Sequence, residues 1–278
     1  MDRGPFSFRR PRALFAAALS VAFALWVVGI GVPLVGGYPS VFDWLRDRSI
    51  SNSVTPPAPP AFDRSALRME LADHGFSLGD EAHVRIYKRE RVLEMWMRQG
   101  DGRFALFKSY PICNFSGDLG PKLKEGDRQA PEGFYRVAGK QLNPHSRHHL
   151  AFNLGFPNAV DRQLERTGSA LMVHGGCSSV GCFAMTDAQI DEIYAVVEAA
   201  LQHGQSEIDV AIFPFHMTDA ALADAAKSNW APFWQNLKQG SDLFDSAGTP
   251  PQVAACDGRY VFGDAAMQPG CTPISGWV

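Results

Sequence analysis

The chain has 278 residues, 46% of them hydrophobic, and a formal net charge of -3. That is enough apolar material for one sizeable folded domain with extensions. A near-neutral balance without a dense basic stripe argues against nucleic acid as the main partner.

Arg3, Arg9, Arg10 and Arg12 open the chain, and residues 13–34 that follow are apolar apart from Ser20. This run matches the roughly 20 residues that span a bilayer. The preceding arginines predict a cytoplasmic amino terminus and an exported remainder. The expected layout is a basic terminus over residues 1–12 and a signal anchor, a transmembrane helix, over 13–36. A cleaved signal peptide is the alternative, but its apolar core usually runs only about 7 to 15 residues and no small-x-small cleavage site follows. Residues 37–82 form a membrane-proximal segment, with a proline-rich tether at 51–60 that should be extended.

Val84–Tyr87 and Val92–Met97 alternate apolar and polar positions, which predicts strands with one buried face, and Phe104–Phe107 and Phe134–Val137 add two more. Between Gly117 and Gly133 the chain is rich in glycine, proline and charge and reads as a long loop. Lys122, Lys124 and Arg128 in that loop would suit an anionic ligand, with Arg128 the best candidate for a bidentate carboxylate clamp. The alternative is a solvated loop charge paired with Glu125 or Asp127. Tyr135, Asn143 and Asn153 are further candidates. His145, His148 and His149 lack paired metal-ligand spacing, and neighbours in a strand point to opposite sides, so they read as an exposed strand entrance.

The apolar run Ala170–Val173 predicts a buried strand that ends at His174, followed by Gly175-Gly176-Cys177-Ser178-Ser179-Val180-Gly181-Cys182. The glycines allow a sharp turn that returns Cys182 beside the imidazole. A thiol needs such a neighbour because the thiolate attacks, and His174 could lower its pKa and later protonate a leaving amine. Amides around Gly181 and Cys182 would then stabilise an oxyanion, with Ser179 as a further donor. The plain alternative is a buried strand-end histidine beside two structural cysteines.

Thr186 and Gln189 form a capping box, and Ile190, Ile193, Tyr194, Val197 and Leu201 recur at helical spacing until Gly204. Asp209–Phe215 predicts a strand beside the His174 strand in a mixed or antiparallel sheet. A second helix is expected from Thr218 through Asp224 to Leu237, with Trp230, Phe233, Trp234 and Leu237 as its apolar stripe. Cys256 and Cys271 sit in a short loop-rich tail and are the favoured disulfide pair among the five cysteines.

His174-Gly175 followed by Ser179-Val180-Gly181-Cys182 resembles the signature of the L,D-transpeptidase (YkuD-type) catalytic domain. The segments Ser116–Lys122 and Glu125–Tyr135 resemble its YafK-like branch, and the likeness covers roughly residues 83–216. Residues 217–278 would be a C-terminal helix and loop-rich tail. The resemblance implies an α+β fold, mainly β, with a mixed sheet and packed helices. It also implies Cys182 as nucleophile with His174 as its base, and no cofactor or metal. Arg128, Lys122, Tyr135 and Asn153 would contact peptidoglycan stem peptides. Cys113 and Cys177, both placed near the site by the family reading, become a second disulfide pair. Val180 departs from the commoner pattern, which carries a histidine there.

Two outcomes of the thioester stay open: transpeptidation onto a second stem peptide, or hydrolysis that trims stem peptides or releases a wall-linked lipoprotein. Outside acyl transfer stand a thiol-disulfide oxidoreductase using Cys177 and Cys182, whose C-x4-C spacing is unfavourable, and a non-catalytic wall-binding module. The expected location is the bacterial inner membrane with the catalytic domain in the periplasm, or the free periplasm if the signal is cleaved.

Overall fold

The computed structural model describes residues 62–277. The predicted transmembrane helix, its basic flank and the proline-rich tether lie outside the described residues. Among the described residues no helix is long and apolar enough to cross a membrane.

The fold is mixed α+β and mainly β. Helix α1 (Arg64–Asp73), whose N-cap Asp63 accepts the Ser65 amide at 2.8 Å, leads into an antiparallel meander of β1 (Ala82–Tyr87), β2 (Val92–Arg98) and β3 (Phe104–Pro111). Strand β4 (Gly133–Val137) and β9 (Ile208–Phe213) complete a five-stranded sheet in the order β3-β2-β1-β9-β4, with β1 and β9 parallel. A second sheet runs β5-β6-β7-β8, from β5 (Leu142–Ser146), β6 (His149–Asn153), β7 (Met172–His174) and β8 (Phe183–Ala184). Helix α2 (Ala159–Gln163) sits between β6 and β7, and α3 (Asp187–Gln202) follows β8. The Thr186 hydroxyl and Gln189 side chain cap α3 reciprocally, as the capping box predicts.

The placement of β9 corrects the sequence expectation, because it lies in the five-stranded sheet and not beside the His174 strand. The reason is its two apolar faces. Val210 and Ile212 enter a core shared with Val84, Ile86, Phe152, Val173, Ile190 and Val197, while Ala211 and Phe213 enter a second core with Tyr87, Phe134, Trp234 and Tyr260. A strand apolar on both sides belongs at the centre of a sheet covered on both sides.

The predicted second helix is two helices, α4 (Asp219–Asp224) and α5 (Ala231–Ala247). Pro232 stands in the first turn of α5, where a missing amide costs nothing, whereas in a continuous helix it would break the ladder. Trp234 and Leu237 are buried against the second core, joined by β10 (Val253–Cys256), β11 (Arg259–Phe262) and β12 (Thr272–Pro273) of a small three-stranded sheet. A disulfide joins Cys256 to Cys271 within this tail.

Candidate active site

The site grows from the edge of the second sheet. Strand β8 is parallel to β7, with Val173 opposite Phe183 and His174 opposite Ala184. On its other side the backbone of Asn114 exchanges hydrogen bonds of 3.0 and 2.8 Å with Ala184. Carried back one pair, the register sets Met172 opposite Cys182, and the Met172 amide donates to the Cys182 sulfur at 3.4 Å. The Cys182 thiol is thus held at the edge of β7, the strand that ends in His174.

The turn between them is held from several sides. A side chain at Gly175 would force its neighbours to shift, since a Cβ there would stand 2.7 Å from a carboxylate oxygen of Asp187 and 3.0 Å from the His148 carbonyl. The same Asp187 oxygen accepts the Gly176 amide at 2.8 Å. Cys177 is bonded to Cys113, which staples the turn to the segment leaving β3. This pairing leaves Cys182 as the free thiol among the described residues and removes the Cys177–Cys182 redox pair.

His174 is 2% exposed, and its Nδ1 donates to the Gly175 carbonyl at 2.6 Å. A carbonyl can only accept, so the neutral ring carries its proton on Nδ1 and offers a lone pair at Nε2. Burial lowers the His174 pKa from its ordinary value; the Gly175 bond opposes this and neighbouring His148 adds to it. Burial raises the Cys182 thiol, against smaller lowering effects of the Met172 amide and the Lys122 charge. The thiol donates to the Ala170 carbonyl at 3.6 Å. At neutral pH both groups rest uncharged, contrary to the expectation that His174 would depress the thiol pKa.

The oxyanion candidates are placed differently from expectation. The Gly181 amide donates to Ser116 Oγ at 2.6 Å, and Ser116 in turn donates to the Arg128 carbonyl at 2.7 Å. The Ser179 hydroxyl donates to the Cys182 carbonyl at 2.6 Å. Both residues shape the loop in this arrangement. The Cys182 amide has no acceptor among the described residues and can donate to an incoming oxygen.

Of the proposed ligand contacts, Arg128, Lys124 and Asn143 are exposed, the last with its side-chain oxygen accepting the His145 amide at 3.1 Å. Arg128 has no ionic partner among the described residues and sits one hydroxyl away from the Gly181–Cys182 turn through Ser116. Lys122 is 3% exposed and committed within its own loop to Asp127 at 2.5 Å and to the Lys124 carbonyl at 2.9 Å. It acts on the site as a nearby positive charge that favours the thiolate. Tyr135 is 1% exposed and donates to Asp161 at 3.1 Å, so it faces the interior and not a ligand. Asn153 lies opposite Met172, but its side chain is turned to the Gly155 amide at 2.8 Å.

Sequence reasoning missed Ser116 and His148. His148 lies in the turn between β5 and β6, exposed, with its ring centroid 4.5 Å from that of His174. His149 diverges from it to bond Asp191 at 2.7 Å. Replacing His148 by alanine should move the acid limb of the pH-rate profile to higher pH. The change removes a like charge and re-solvates the His174 ring, and both effects raise the pKa below which the base is lost. An acid limb that stays in place or moves down would contradict this.

Residues 81–221 match the family described as YkuD, L,D-transpeptidase catalytic domain. The chain belongs to the YkuD L,D-transpeptidase catalytic domain family. Among curated proteins it is 46% identical over 184 residues to "Putative L,D-transpeptidase YafK" of Escherichia coli K12, covering 66% of this chain and 74% of that protein; the YafK of Escherichia coli O157:H7 matches to the same extent. Among solved structures, the helical cell shape determining protein Pgp2 of Campylobacter jejuni, as a K307A mutant, aligns with a TM-score of 0.41 at 20% identity, covering 67% of this chain and 66% of that one. Bd1075 of Bdellovibrio bacteriovorus aligns with a TM-score of 0.35 at 19% identity over 61% of each chain.

Proposed function

We propose that this protein is a peptidoglycan acyl-transfer enzyme with Cys182 as nucleophile. The observation that carries the reading is a lone free thiol held against β7, the strand that ends in an imidazole whose Nδ1 is locked to a backbone carbonyl. Cys182 attacks a carbonyl of a stem peptide while His174 Nε2 takes the thiol proton, and the Cys182 amide donates to the developing oxyanion. The tetrahedral intermediate expels an amine, to which His174 returns the proton, and a thioester remains. An amine from a second stem peptide then yields a cross-link.

Arg128 is the proposed anchor for a stem-peptide carboxylate. Its replacement by glutamine should raise KM by about 10- to 100-fold with kcat little changed, as loss of a charge-assisted hydrogen bond in the bound state does. A fall in kcat with KM unaltered would place Arg128 elsewhere. The two disulfides support an oxidising compartment, in keeping with a catalytic domain in the periplasm behind an inner-membrane anchor or a cleaved signal.

Muropeptide mass spectrometry on sacculi, with and without bound lipoprotein, tests the acceptor. Cys182-dependent dimers joined through diaminopimelate are the expected product. Loss of lipoprotein or terminal residues without new dimers would make the enzyme a hydrolase of the same family.

A further inference from the structure

A second cavity, of about 240 Å³, opens on the face of the five-stranded sheet that carries Arg85 and Tyr87, between β1, β2, the start of α4 and α5. Its floor is a buried cation. Arg85 is 4% exposed, and its guanidinium donates to Asp245 at 2.8 Å and to Ser241 at 2.7 Å. The same group lies 4.7 Å from the ring centre of Phe244 and 5.6 and 5.7 Å from those of Tyr87 and Trp96.

Several polar groups of this cavity have capacity that the protein does not use. Tyr87 is 2% exposed, yet its hydroxyl has no hydrogen-bond partner among the described residues and is not sealed from solvent. A residue so buried can meet solvent only through the cavity it lines. Glu94, 9% exposed, accepts the Trp96 indole at 2.9 Å with one oxygen, and its other oxygen is unpartnered among the described residues. The exposed His216 packs on Tyr87 at 3.9 Å between ring centres, and its ring makes no hydrogen bond among them either. Tyr87 and Glu94 are nearly covered and keep free hydrogen-bonding capacity that faces this cavity, with exposed His216 at its mouth, so the capacity is open to a ligand.

The chemistry of the walls selects the class. A metal cation would meet Arg85, and an anion would meet Glu94 and Asp245. A neutral ligand with hydroxyls that both donate and accept can satisfy the tyrosine hydroxyl, the carboxylate and the guanidinium together, and its C–H face can lie on Trp96 or Tyr87. We infer that this cavity is a saccharide-binding site, separate from the Cys182 centre, that takes a single neutral hexose-type ring.

The sharpest variant is Tyr87→Phe, because the hydroxyl it deletes supports nothing within the protein. The test is saturation-transfer difference NMR of the full chain carrying Cys182→Ala, titrated with a β-1,4-linked N-acetylglucosamine tetramer. That background makes the result independent of acyl transfer. Saturable transfer to the sugar is expected, weakened about 2- to 10-fold by Tyr87→Phe while the melting temperature is unchanged or raised, and weakened also by His216→Ala. Absence of saturable transfer, equal affinity in the Tyr87→Phe chain, or displacement of the sugar by free alanine as a zwitterionic competitor would each overturn the assignment.

Discussion

Replacing His174 by glutamine should slow acylation of Cys182 by about two to four orders of magnitude. Glutamine can still donate to the Gly175 carbonyl, and it keeps a polar group at a position only 2% exposed, so the fold should survive. It lacks a basic nitrogen. Burial holds the thiol above its ordinary pKa, so no standing thiolate can stand in for the missing base at neutral pH. The residual rate of the variant should therefore climb with pH as hydroxide removes the thiol proton directly. A near-normal rate at neutral pH would show that another group takes the proton, and exposed His148 beside the ring would be the first to examine. Stopped-flow or quenched acylation kinetics from pH 5 to 10 separate these cases.

Replacing Glu132 by alanine should cost about 3 to 5 kcal/mol of stability, the usual penalty for stranding a buried charge. Glu132 and Lys88 have wholly buried side chains. The Lys88 ammonium donates to Glu132 at 3.0 Å and to the carbonyls of Gly120 and Ala130 at 2.9 and 3.1 Å. Glu132 also accepts the Gly120 amide at 2.7 Å and the Trp234 indole at 2.8 Å. Every strong polar group at this point is satisfied, and removal of one carboxylate leaves an ammonium, an amide and an indole short of partners. Such a loss is a large share of the roughly 5 to 15 kcal/mol that holds a typical domain together. The pair also fixes the loop from which Ser116 reaches Gly181, so catalysis should fall before global unfolding. Urea denaturation checks the value, and a loss below about 1 kcal/mol would contradict the role assigned to the pair.

The parts of the site legible in the sequence are those that lie close together along the chain. His174, Gly175 and Cys182 fall within one turn, and glycine content with residue chemistry was enough to bring them together. The capping box at Thr186 is likewise a local signal, whereas the alternation in β1 locates a strand but not its burial, since all six residues Ala82–Tyr87 are buried and not one face alone. What could not be read depends on distant segments. Ser116 meets Gly181 only because the chain after β3 runs alongside β8, and His148 meets His174 only because the β5–β6 turn folds over it. Lys122 looked like an open cation because its closure by Asp127 is set by three-dimensional loop geometry; burial alone would raise the Asp127 carboxyl, but the Lys122 pair and three backbone amides bring it down to about 2. Strand β9 is apolar on both faces, a pattern that marks it as central without saying to which sheet it belongs. The burial that raises the thiol is equally invisible in a motif.

The central claim is that Cys182 carries the acyl group. Intact-mass spectrometry of the acid-quenched protein after mixing with a disaccharide-tetrapeptide substrate tests it most directly. The account predicts an adduct equal to the substrate less its leaving amine, mapped to Cys182 by peptide digestion and absent from the Cys182→Ala chain. Turnover by the Cys182→Ala chain at wild-type levels, or an adduct on any other residue, would contradict it.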